Sequence, residues 1–181
     1  MKKVLLLAVA ACLLFAAPVM AKEGVYIGAF MPTDSISGDA GGGVSSGNGW
    51  GLRAGLGFNR YVAIEGHYTA TKHDITGGTS ADLKGYAGDL RLNFPLTELD
   101  RNHVMSLEPY VLLGYGHYEL SGRETLKSDG SQWGLGIELY LFKELSIHGG
   151  WTTTKTTFKE NNVDLNGNVK TVDFGLIYHF I

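Results

Sequence analysis

Eight side chains could do chemistry by type: Arg53, Glu65, His67, Asp89, Arg91, Asn93, Glu138 and His148. Histidine beside carboxylate is the donor set of a metal centre or of a general acid–base pair. The spacing argues for neither. His67, His148 and His179 fall on separate segments without the short ligand spacing of a metal site. The glycine-rich stretch from Gly38 to Gly49 precedes no helix, so it is not a phosphate cradle and composition makes it a flexible tether. No catalytic residue, metal or cofactor is therefore assigned. The eight are expected to form a structural polar network, because each sits at an alternate position of a strand-like segment.

Those segments number eight: Gly24 to Met31, Trp50 to Phe58, Tyr61 to Ala70, Leu83 to Phe94, Ser106 to Tyr118, Gln132 to Phe142, Leu145 to Thr154 and Thr171 to Phe180. The last is the clearest, with Val172, Phe174, Leu176, Tyr178 and Phe180 at every second position up to the end of the sequence. The connections alternate in length. Turns near Asn59-Arg60 and Lys143-Glu144 are tight, and Pro95 to His103 is a longer member of that short set. The stretches 32 to 49, 71 to 82, 119 to 131 and 155 to 170 are rich in Gly, Ser, Thr, Asp and Asn and read as long loops. The pattern predicts an all-β, eight-stranded antiparallel up-and-down transmembrane β-barrel with short periplasmic turns and long exterior loops.

Alternation alone does not say which face meets lipid; a soluble barrel or sandwich would turn Trp50, Leu52, Leu56 and Phe58 inward. Three features choose the membrane. The polar face is mostly glycine with isolated charges, which suits a cramped lumen better than a wet surface. Trp50, Trp133 and Trp151 fall toward the exterior edge and Phe58, Phe94, Phe142 and Phe180 toward the opposite one, as two aromatic girdles. Trp50 to Phe58 extends roughly 27 Å, or about 21 Å when tilted by about 40°, close to the apolar band of about 25 Å.

Register gives a further test. An odd, three-residue turn at Asn59-Arg60-Tyr61 keeps Leu56 and Ile64 on one face and sets Arg53 opposite His67, diagonal to Glu65. A similar turn around Phe142-Lys143-Glu144 sets Glu138 opposite His148. Arginine on the lipid face costs about 2–4 kcal/mol at mid-bilayer, which drives these groups into the lumen.

The start of the chain has the form of a secretory signal peptide over residues 1–21. It runs from Met1-Lys2-Lys3 through an apolar stretch from Val4 to Ala17, with cleavage after Ala21. A lipid-modified Cys12 is the competing reading, but it leaves an h-region of eight apolar residues, Val4 to Ala11. Ordinary cleavage leaves a domain from 22 to 181 with no cysteine and hence no disulfide. That domain has 13 basic against 18 acidic residues, about −5, which argues against a nucleic-acid partner.

Gly24-Val25-Tyr26-Ile27-Gly28-Ala29-Phe30, the segment Leu52 to Tyr68 and Glu108-Pro109-Tyr110-Val111-Leu112-Leu113-Gly114-Tyr115-Gly116 carry a resemblance. By them the sequence resembles the small outer-membrane β-barrel proteins of Gram-negative bacteria, the family of the OmpA transmembrane domain, OmpX and the opacity-type porins. The resemblance implies residence in the outer membrane, among its lipid and lipopolysaccharide. It also implies insertion by the barrel-assembly machinery, which reads a terminal aromatic; Phe180 stands one residue from the end. Some relatives modify lipid A with a His and a closely following Ser; here His148-Gly149-Gly150 lacks that Ser, and Ser146 precedes it. Eight strands enclose room for side chains rather than a pore. The expectation is a structural or surface-interaction barrel with four exterior loops free to bind an extracellular ligand. A narrow porin-like ion channel is the alternative, and a lipid-A-modifying enzyme the remoter one.

Overall fold

The computed structural model describes residues 24–38, 44–75, 77, 79–98, 105–122, 125–160 and 163–180. The signal segment with Ala21, and Ile181 at the other end, lie outside them. Eight long strands form the wall: β1 (Gly24–Gly38), β2 (Gly47–Gly57), β3 (Val62–Ile75), β4 (Thr79–Asn93), β6 (Ser106–Ser121), β7 (Thr125–Tyr140), β8 (Leu145–Glu160) and β9 (Val163–His179). A ninth, β5 (Thr97–Glu98), pairs only with Leu107 and Ser106 at the start of β6. Every neighbour is antiparallel; β9 pairs with β1, and β4 with β6, so the sheet closes and leaves no long edge. The expected eight-stranded up-and-down barrel is the observed fold.

The two tight turns set the register. Phe58 N–H donates to the Val62 carbonyl at 3.0 Å, and the Asn59 carboxamide oxygen accepts from the Tyr61 and Val62 amides at 2.8 and 2.9 Å. The three-residue turn puts Arg53 opposite His67 and Leu56 opposite Ile64. At the equivalent turn before β8, Leu141 N–H donates to the Leu145 carbonyl at 3.0 Å, and Glu138 lies opposite His148.

At the other end the structure corrects the loop expectation. The wall strands run on through most of the stretches 32 to 49, 71 to 82, 119 to 131 and 155 to 170. β8 has 16 residues, about 50 Å of strand and near 40 Å along the barrel axis at the usual tilt, well beyond the bilayer's apolar band. The tryptophans therefore sit within strands and do not open or close them. The stretch 32 to 49 is also held down at its C-terminal side. Val44 bridges to Ile75, Ser45 N–H donates to the Asp74 carbonyl at 2.9 Å, and the His73 Nδ1 atom is 2.9 Å from the Ser45 carbonyl. Residues 39–43 lie outside the described set.

The sense of the alternation reverses along β1, β4, β6 and β9. At bilayer level Val25, Ile27, Leu52, Leu56, Ile64 and Leu176 are exposed while Arg53, Glu65, Asp89 and Arg91 are buried. Beyond the tryptophans the exposed positions are Ser35, Ser37, Lys72, Asp82, Lys84, Lys155 and Lys170. The buried ones there include the apolar Ile36, Ala81, Leu83, Leu120 and Val169, packed with Tyr118, beside the polar Thr71, His73, Ser128 and Thr156. One closed sheet thus serves as a membrane barrel below and as a water-soluble barrel above. The solvent outside changes from hydrocarbon to water while the strand pairing continues.

Candidate functional site

The lumen is the site the topology assembles. Every inward position of β2, β3, β4, β7, β8 and β9 points at one axis, so residues far apart in sequence meet. Arg53 sits 3.3 Å from Glu65 and 3.1 Å from Asp173. Arg91 reaches Glu65 at 3.5 Å, pairs with Glu138, and donates through Nε to the Asn93 carboxamide at 2.8 Å. Tyr26 donates its hydroxyl proton to Glu65 at 2.9 Å. The His67, His148 and His179 rings each lie at ion-pair distance from a carboxylate: Asp89 at 3.1 Å, Asp173 at 3.1 Å and Glu138 at 2.9 Å. The Gln132 amide closes the set by donating to Asp89 at 2.5 Å.

All eight polar residues named from the sequence, Arg53, Glu65, His67, Asp89, Arg91, Asn93, Glu138 and His148, fall in this network. The girdle residues stand on the outer face: Trp50, Trp133, Phe58, Phe94, Phe142 and Phe180 are exposed and Trp151 is half-buried. Trp133 and Trp151 meet edge to face at 5.0 Å.

Sequence reasoning missed a second set of lumen residues, the aromatics Tyr26, Phe30, Tyr110, Tyr118 and Tyr140, all buried. The Arg53 guanidinium lies 4.5 Å from the centre of the Phe30 ring and that of Arg91 3.9 Å from Tyr110. Their strands carry apolar residues on both faces, so parity does not say which set is inside. The available signal was the glycine opposite. A Cβ at Gly55 would overlap the Tyr26 ring, and one at Gly136 the Tyr110 ring. These glycines are the recesses in which lumen rings lie flat on the wall. Asp173, which anchors Arg53 and His148, was also missed, because its neighbours Val172 and Phe174 drew attention to the lipid face.

Above the charged layer, Asp34 accepts from the Thr71 and Thr171 hydroxyls at 2.8 and 2.6 Å. Tyr118 and Thr154 hydroxyls lie 3.1 Å apart beside Gln132. The apolar cluster of Ile36, Ala81, Leu83, Tyr118, Leu120 and Val169 then packs in the barrel's upper end, beside buried His73, Ser128 and Thr156. The cavity between Phe30, Arg53, Glu65, His67, Leu112 and Asp173 measures about 10 Å³, roughly room for one water.

Two chemical arrangements can be weighed on this geometry. Glu65, His67 and Asp89 bring one ligand atom each within 4.8 Å of one another. Glu65 is already shared by two guanidiniums and the Tyr26 hydroxyl, so a divalent cation there would face both arginines at close range. Ser146 lies 3.2 Å from His179 Nε2, while Glu138 takes that same nitrogen at 2.9 Å. A nucleophilic triad needs its carboxylate on the opposite ring nitrogen.

A family model, the outer membrane protein beta-barrel domain, matches residues 7–180. The comparison with curated protein sequences gives no match. Among solved structures, Neisserial surface protein A is similar with a TM-score of 0.67 at 15% identity, over 87% of this chain and 98% of that one. Ail, the attachment invasion locus protein of Yersinia pestis, gives 0.54 at 18% identity, over 87% and 99%. The outer membrane protein OprG from Pseudomonas aeruginosa gives 0.50 at 18%, over 88% and 97%. At these identities the likeness is one of fold, and the family match carries the assignment: this chain belongs to the outer membrane protein β-barrel domain family, as an integral barrel of the outer membrane.

Proposed function

We propose that this barrel is a closed scaffold, neither a conduit nor an enzyme, which presents its extracellular end as a rigid surface for binding. The observation that carries the proposal is the double seal of the lumen. A cross-braced ionic layer at bilayer level encloses a cavity of about 10 Å³, and an apolar cluster lies above it. An ion would have to break several buried charge pairs and then pass the packed apolar cluster. Extended paired hairpins also favour presentation, since binding to them orders little flexible chain. The reading as a non-enzyme rests on Ser146 being buried in the lumen beside a carboxylate on the wrong nitrogen. Insertion by the barrel-assembly machinery and contact of the rim with an extracellular ligand belong to the same proposal.

The test is single-channel recording of the refolded protein in planar bilayers, alongside lipid A mass spectra of cells with and without the gene. Silent bilayers and unchanged spectra are expected. Regular conductance steps would overturn the closed-scaffold reading in favour of a channel, and a new lipid A mass would overturn it in favour of an enzyme.

A further inference from the structure

Five lysines with described side chains, Lys72, Lys84, Lys127, Lys155 and Lys170, stand on the outer face beyond the bilayer-level band. Three of them meet a carboxylate across the strands. Lys72 is opposite Asp82, and Lys84 is opposite Glu119, which is opposite Lys127 with N to O at 3.7 Å. Lys155 and Lys170 do not. Lys155 lies between Ser131 and Asn168, and Lys170 between Thr153 and Ser35. On these strands Asp34 and Asp173 point into the lumen, and Asp129 is held by His117 at 2.7 Å. Among the described residues the two ammonium groups therefore share a patch of hydroxyls and amides with no carboxylate directly opposite on either neighbouring strand.

The pairing fixes what lies beside that patch. Across β7, β8, β9 and β1 the outer face reads in successive rows: Ser131, Lys155, Asn168, Ser37; Trp133, Thr153, Lys170, Ser35; Leu135, Trp151, Val172, Thr33; Ile137, Gly149, Phe174, Met31. Lys155 and Lys170 are diagonal neighbours, within about 7–8 Å of one another, a span one phosphate can bridge with two flexible side chains. A recess of about 330 Å³ opens beside Lys155, lined by Thr157, Asn166 and Asn168. Two rows below Lys170 the wall changes to exposed Val172 and Phe174 around the notch at Gly149. A side chain at Gly149 would meet nothing nearer than the Asp173 carbonyl at 3.8 Å, so the notch is open space.

From this arrangement we infer that the β7–β8–β9–β1 face holds a phosphorylated lipid of the outer leaflet. Lys155 and Lys170 grip its phosphate, Ser35, Ser37 and Asn168 donate to the headgroup, and an acyl chain lies over Gly149 between Trp151 and Phe174. Anion and hydrocarbon are read together: the charge selects phosphate and the notch directly below selects an attached chain. The inference stands whether or not the rim binds an extracellular partner.

The test uses the full barrel in phosphatidylcholine nanodiscs doped with bisphosphorylated lipid A or with its dephosphorylated form, with retained lipid counted by native mass spectrometry. The phosphorylated form should be retained about 30-fold better at low salt, an advantage lost in K155Q/K170Q and kept in K72Q/K84Q. Gly149→Leu should lower retention of both forms about tenfold while leaving the heat-dependent gel shift of the folded barrel intact. Equal retention by wild type and K155Q/K170Q would overturn the inference. So would an equal loss in K72Q/K84Q, which would mark unspecific charge attraction, or an unaffected Gly149→Leu, which would leave no seat for the chain.

Discussion

At the residue scale the energetics of this barrel concentrate in two arginines. Arg53 and Arg91 each bridge two carboxylates in a layer nearly closed to water, with side chains 3% exposed. Removing one partner of a buried pair costs more than the pair is worth, because the other charge is left without compensation. Arg53→Met should therefore lower unfolding stability by about 3–5 kcal/mol in urea titrations of vesicle-embedded protein. Adding Glu65→Gln should recover part of that loss, since the two changes share one network. A full and additive loss in the double variant would mean that the groups are independent. The charged members were legible because a charge at an alternating position has one tolerable place in a membrane barrel. Tyr26, Phe30 and Tyr110 were not, because an aromatic ring is tolerable on either face and its choice depends on which opposing residue is glycine.

At the element scale the finding is that the hairpins outlast the membrane. Composition rich in Gly, Ser, Thr, Asp and Asn reads as loop, yet a β-branched run such as Thr152-Thr153-Thr154 suits a half-buried strand once a partner exists. The signal that could have found these extensions was apolar residues at inverted parity, as in Ser35-Ile36-Ser37 and Asn168-Val169-Lys170. The cap they build should be a cooperative unit of its own. Leu83 is fully buried in it, and Leu83→Ala should open a cavity costing about 2–5 kcal/mol. Amide exchange at Ala81, Leu83 and Leu120 should quicken at least about 30-fold while that at Glu65 and Arg91 is unchanged. Uniform acceleration of all five amides would show that cap and membrane barrel unfold together.

At the scale of the whole molecule everything depends on two solvents acting on one sheet. Spin labels at Leu56 and Ile64 should collide with oxygen dissolved in the bilayer, and labels at Ser35 and Ser37 with an aqueous nickel complex; the reverse pattern would invert the placement in the membrane. The sequence by itself determined the strand count, the closed antiparallel topology and the lipid-facing parity at bilayer level. Periodicity of two, odd turns and the cost of a charge in hydrocarbon are local facts, readable residue by residue. Only the tertiary structure decided how far the hairpins extend, which aromatics fill the lumen, that Asp173 anchors Arg53, and that Lys155 and Lys170 lack opposing carboxylates. Each of these is a relation between strands, and the register that creates it is set by closing the sheet.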